Sequence, residues 1–94
     1  MLTYTATYFN VDGGVHAEVL DFSGVISFGA NLDEARRMLA SALIDMAETY
    51  LLHGEPLPQP DPRCTDLDAD LQEPIHLLLS AASGVAQTAQ KSTQ

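Results

Sequence analysis

The sequence predicts an α+β fold of two layers, a β-β-β-α-β chain. It reads as an antiparallel meander under one covering helix, closed by a returning strand parallel to the first. Three observations predict it. Apolar residues alternate with polar ones through the first twenty positions, the period of a half-buried strand. A single long stretch from Asn31 switches to helical spacing. After a proline-rich interval the apolar run Ile75-His76-Leu77-Leu78-Leu79 resumes a strand pattern.

The elements follow in order. In Leu2 to Phe9, Leu2, Tyr4, Ala6 and Tyr8 alternate with Thr3, Thr5, Thr7 and Phe9. Asn10-Val11-Asp12-Gly13-Gly14 contains residues that tolerate positive φ, so Gly13 and Gly14 mark a hairpin. Val15 to Leu20 is a second strand, with Val15, Ala17 and Val19 on one face and His16 and Glu18 on the other. Gly24 and Gly29 bracket a third, Val25 to Phe28. Asn31 then stands three residues before Glu34, as in a capping box. The helix from Asn31 to His53 places Leu32, Ala35, Leu39, Ala42, Leu43, Met46 and Tyr50 in one stripe facing the sheet. Asp33 and Glu34 suit the positive end of its dipole. Gly54 and Pro56 stop it. A second set, Ala40, Ile44, Ala47 and Leu51, reads either as a broadening of the buried face or as a partner surface.

Residues 55–74 carry five prolines and many acids and read as an extended linker. The strand Glu73 to Ser80 should be buried on both faces, or pair across a dimer. A crossover from the helix would make it parallel to the first strand. Ala81 to Gln94 is small and polar without periodicity, and reads as a flexible tail. The organisation is one domain, 1–80, followed by the tail 81–94.

Composition narrows the function. Thirteen acids against four Lys and Arg give a net charge of −9. Phosphate neutralisation needs surface cations, so the chain is not expected to bind nucleic acid by itself. An acidic surface complements a basic protein, although it also serves solubility. A chain of 94 residues buries a modest fraction of its surface, so a homodimer or higher homo-oligomer is expected. Cys64 is the only cysteine, which excludes an internal disulfide and fits a reducing cytoplasm. The start has neither the basic region nor the apolar core of a signal peptide. No apolar run approaches the ~20 residues of a membrane span.

The chemistry-bearing residues fall short of an active site. Asp66-Leu67-Asp68-Ala69-Asp70 begins like a calcium loop, but Leu71 and Leu77 stand where that loop needs Gly and Glu. His16, His53 and His76 have no ligand spacing with Cys64 or one another. Cys64 lies beside Arg63 with no histidine near in sequence. No phosphate loop or nucleophile elbow occurs. Neither a metal, a cofactor nor catalysis is expected.

Together, Tyr4-Thr5-Ala6, Asp12-Gly13-Gly14, Asp21-Phe22-Ser23-Gly24, the Gly29 and Asn31-Leu32-Asp33-Glu34-Ala35 pair, and Gly54-Glu55-Pro56-Leu57-Pro58 resemble, in order and spacing, the HicB-type antitoxins over roughly residues 2–60. Leu20, Ser23 and Val25 depart from that family's usual Pro, Pro and Cys, which touches turn stiffness. The DNA-binding module that many members carry at the C-terminus is not seen. The resemblance implies a truncated ribonuclease-H-like domain that binds and occludes a small basic HicA-type ribonuclease toxin, and it implies oligomers. A ribonuclease-H-like shape raises the question of nuclease activity. Two-metal cleavage needs converging acids, and no acid occurs from Leu2 to Phe9, while Asp12 and Asp21 lie in turns. Ile44, Asp45, Glu48 and Leu51 on the helix, with Asp61, Asp66, Asp68 and Asp70 in the linker, are the candidate partner contacts. Gly13, Gly14, Gly24, Gly29, Asn31, Glu34 and Gly54 are candidate structural positions. The alternative is a stand-alone homo-oligomeric binding module with no toxin.

Overall fold

A computed structural model describes residues 1–80 and 84–90. Five strands and one helix form it: β1 (Leu2–Val11), β2 (Gly14–Val19), β3 (Ile26–Gly29), α1 (Leu32–Leu52), β4 (Leu71–Ser80) and β5 (Gly84–Gln90). The strands make one sheet in the order β3-β2-β1-β4-β5, and every neighbouring pair is antiparallel. The fold is therefore a small two-layer α+β domain, with α1 on one face of the sheet.

The meander follows the alternation in the sequence. Tyr4, Ala6 and Tyr8 of β1 and Val15, Ala17 and Val19 of β2 are buried toward α1. Gly13 alone carries positive φ in the first hairpin, at 85°. Gly14 is required for a different reason. A Cβ there would lie 2.6 Å from Cζ of Phe28, whose ring covers the glycine from β3. Gly29 closes the meander against the helix. A Cβ on it would meet the backbone of Ala35, with Cα only 2.8 Å away.

The helix ends as the sequence predicts, with one difference. Asn31 Oδ1 accepts from Glu34 N at 2.9 Å. Glu34 reaches back to the amide of Ala30 rather than that of Asn31. At the other end Glu55 N donates to Tyr50 O and Gly54 N to Leu51 O, a Schellman closure that needs the positive φ of Gly54, 70°. Ala35, Leu39, Leu43 and Ala47 are fully buried. Ala47 and Ile44 pack with the core, so the second apolar set mostly broadens the buried face.

The strand expected to close the chain, β4, departs from expectation. β4 runs antiparallel to β1, with Leu71 opposite Tyr8 and Leu77 opposite Leu2, so the expected parallel return is corrected. The reason lies in the linker. Tyr4 Oη donates to Pro58 O, Asp61 N to Asp21 Oδ2, and Asp70 N to Tyr8 O. These contacts carry the chain along β1 from Tyr4 to Tyr8 before β4 begins, which reverses its direction. At ~3.1 Å per residue an extended proline-rich segment has the reach for this. A direct helix-to-strand crossover would have kept the strands parallel.

The linker also ends earlier than expected, because Leu71, Gln72 and Glu73 belong to β4. Pro74 is tolerated inside that strand. Opposite it, Thr5 turns both backbone groups toward β2, accepting from Leu20 N and donating to Asp21 Oδ1, so no bond from Pro74 is required. Glu73 faces α1 and meets Arg36 in a two-pronged pair, Nε to Oε2 and Nη2 to Oε1, each 2.9 Å. The pair is largely buried, at 16% and 9% side-chain exposure. Glu73 holds the Arg36 proton more firmly than usual, chiefly by this hydrogen bond.

Within the expected tail, Gly84–Gln90 forms β5 against β4, with a register shift at Leu78/Leu79. That part of the tail assignment is corrected; residues 81–83 and 91–94 lie outside the described residues. The small polar residues of this stretch carry little strand propensity. Pairing with β4 supplies the order, since an unpaired β4 would leave a row of open backbone groups.

Substitutions at three positions test this framework. Glu73→Ala should cost about 2 to 3 kcal/mol in urea unfolding, because it leaves Arg36 sequestered without its carboxylate. Replacing both partners, Arg36→Met with Glu73→Leu, should recover most of that loss. Gly29→Ala should cost roughly 2 kcal/mol or more, as overpacking against the helix backbone; a neutral result would contradict the close approach.

Candidate functional site

Two acidic regions were candidates, and the fold treats them differently. In the linker the carboxylates are largely spent on the chain itself. Asp61 Oδ1 accepts from Arg63 N at 3.0 Å. Asp66 Oδ1 accepts from Asp68 N at 2.9 Å. Asp70 Oδ2 accepts from Asn10 N at 2.7 Å and ties the start of β4 to the end of β1. The first two are local turns of the kind Asp side chains build with nearby amides. Asp68 is exposed and makes no side-chain bond with a described residue.

The linker lies across the sheet face that α1 leaves open. Thr65 Oγ1 and Asp66 N both donate to Gln72 Oε1, which projects from β4 on that face opposite Thr7. Thr7 is fully buried there, and its hydroxyl donates to Glu18 O at 3.4 Å. A shallow cleft of about 290 Å³ remains between strap and sheet, lined by residues including Thr3, Thr5, Pro62, Gln72 and Pro74. Tyr4 and Glu73 complete the lining, and the Glu73 carboxylate there is already paired with Arg36.

Asp21 is the residue that sequence reasoning missed. It was read as part of a turn. Its half-buried carboxylate accepts from Thr5 N at 2.8 Å and from Asp61 N at 2.9 Å, so it fastens β1 and the linker together. Its charge acts on its neighbours. Burial first, and Asp21 second, push the Tyr4 hydroxyl up to about 12. Burial first, then Asp21 and Asp61, push the Cys64 thiol up. A thiol held protonated is a poor nucleophile. Only the long-range pairing of residues 21 and 61 reveals this, and no local pattern carries it.

The histidines are placed separately. His16 Nε2 lies 2.7 Å from Glu18 Oε2 and its ring is 5.9 Å from that of Phe9. His76 Nδ1 is 2.9 Å from Thr3 Oγ1. His53 Nδ1 is 2.8 Å from Thr49 O at the end of α1. Among the described residues no group of three or more His, Cys, Asp or Glu is close enough to hold a metal ion. Also among them, no helix is long and apolar enough to cross a membrane.

The outer face of α1 is different from the linker. Asp45 and Glu48 are exposed, and their carboxylates engage no described residue. They sit one turn apart and adjoin Leu51 and Leu52, exposed at 42% and 86%. Ile44, grouped with them from the sequence, is instead half-buried against the core. The surviving surface is thus an acidic pair beside an apolar step at the end of the helix. Such a surface is complementary in charge to cationic side chains set around an apolar contact.

Compared with known protein families, with curated proteins and with solved structures, the chain finds no match.

Tyr4 gives a pH test. The folded chain keeps the phenol proton up to about 12, whereas the unfolded chain releases it near 10.0. The unfolded state therefore binds fewer protons between these values, and stability should be complete below pH 10 and fall from there to about 12. Tyr4→Phe should flatten this limb in urea titrations; an unchanged slope would contradict the burial of the hydroxyl.

Proposed function

We propose that the chain is a non-catalytic binding protein of the HicB-like antitoxin kind, which binds and occludes a small basic HicA-type ribonuclease in the cytoplasm. One observation carries the reading. Asp45 and Glu48 stand free beside Leu51 and Leu52, while the other candidate acids, Asp68 aside, serve the fold. An unspent acidic pair next to exposed leucines supports a basic protein partner. The order of turns and caps shared with the HicB-type antitoxins supports a toxin as that partner. Occlusion needs no catalytic group on this chain, only a surface that covers the RNA-binding cations of the ribonuclease.

A second reading, a stand-alone homo-oligomeric module with no toxin, is favoured by the exposed apolar edge strand β3, where Ile26 and Phe28 are 55% and 50% exposed.

The test is capture from the native host with the tagged full chain and mass identification of what is retained. The expected result is one short basic protein, held at moderate salt and released at high salt. Separated, that protein should cleave RNA, and adding the chain back should suppress the cleavage. Asp45→Lys with Glu48→Lys should reduce capture at least tenfold while leaving the circular dichroism unchanged. Retention of the chain's own subunits alone would sink the toxin reading.

A further inference from the structure

We infer that β3 is a self-pairing edge, at which a second copy of this chain docks antiparallel about Ser27 to double the five-stranded sheet. The inference deepens the homo-oligomeric reading and does not require a toxin.

The register defines which groups face outward. Val19 N donates to Val25 O, which sets the ladder parity, while Val25 N turns back to Phe22 O. Alternation makes Ala17 with Ser27, and Val15 with Gly29, the other bonded pairs. Ile26 and Phe28, opposite Glu18 and His16, therefore turn their N–H and C=O groups away from β2. The next outward amide, that of Ala30, is taken by the Glu34 carboxylate. The open edge is thus confined to Ile26 and Phe28.

Those two residues are two apart, and that spacing is self-complementary. In an antiparallel pair centred on Ser27, Ile26 of one copy lies opposite Phe28 of the other. Each such pair exchanges both of its bonds, so every outward group on both copies is satisfied. A one-residue slip in register would lose this match.

The side chains agree with the backbone. Natural edges are usually blunted by charge, by proline or by a covering loop. The strand Ile26-Ser27-Phe28-Gly29 carries no charge and no proline. Its two large side chains are half exposed on the face away from α1. On that face Phe28 continues a row with His16 and Phe9. Pairing would set Ile26 of the second copy beside Phe28 of the first and extend this row across the twofold axis. Both helices would then lie on one side of the doubled sheet. That leaves Asp45 and Glu48, on α1, outside the pairing strand.

A four-residue edge falls short of the ~800 Å² per partner of a stable interface. Dimerisation is accordingly expected at micromolar rather than nanomolar concentration.

Sedimentation equilibrium of the purified full chain, from about 1 to 300 μM, tests the inference. A concentration-dependent dimer is expected. Ile26→Lys adds charge at the edge without touching a buried position, and it should weaken dimerisation at least tenfold with unchanged circular dichroism. Leu52→Lys, a control at another exposed apolar site, should leave the dimer intact. Hydrogen exchange at the Ile26 and Phe28 amides should slow as concentration rises. A chain monomeric throughout that range, or an Ile26→Lys variant that dimerises as before, would overturn the proposal. Either result would leave the toxin reading untouched, because that reading rests on α1.

Discussion

The architecture depends on how the chain travels from the end of α1 to the start of β4, and the Asp21 carboxylate holds that path. By accepting from Thr5 N and Asp61 N it pins the linker beside β1 at the point where β2 has ended. The strap then crosses the open sheet face, bonds to Gln72, and delivers Asp70 to the carbonyl of Tyr8. The direction of β4 and the burial of Thr7 follow from this one path, and the burial of Tyr4 and Cys64 beside Asp21 suppresses their ionisation.

The sheet is thereby covered unequally. On one face α1 buries a conventional apolar core, with the rings of Tyr4, Phe22 and Tyr50 in sequence at 5.3 Å centroid spacings. On the other face the strap covers the centre with polar turns, and the β3 side stays open. Charge is divided in the same way. Arg36 and Glu73 neutralise each other between the layers, and Asp61, Asp66 and Asp70 of the linker are bonded to backbone amides. What remains for recognition is small and separated: the acidic end of α1 and the apolar edge of β3. A toxin on the first and a second copy on the second would not compete.

Much of this was legible beforehand. Three strands and the helix with both of its ends follow from local chemistry. The alternation of β1 and β2 and the Asn31 and Gly54 caps are written in neighbouring residues. The proposed binding surface was half legible. Asp45 and Glu48 remain available, whereas Asp61 and Asp70 proved to be turn and ladder groups, because an exposed acid and one bonded to a distant amide look alike in sequence.

The sequence by itself determined the α+β class, the meander, the length and ends of α1, and the acidity. Each of these arises from interactions within a few residues or from composition. Only the tertiary structure decided the antiparallel course of β4, the strand at Gly84–Gln90, the Arg36–Glu73 pair and the office of Asp21. These rest on partners 16 to 40 residues apart, or on backbone bonds that carry no residue signature. A proline-rich linker has the same composition whether it turns back at once or crosses the whole domain. Its contacts choose between the two, and through them the direction of β4.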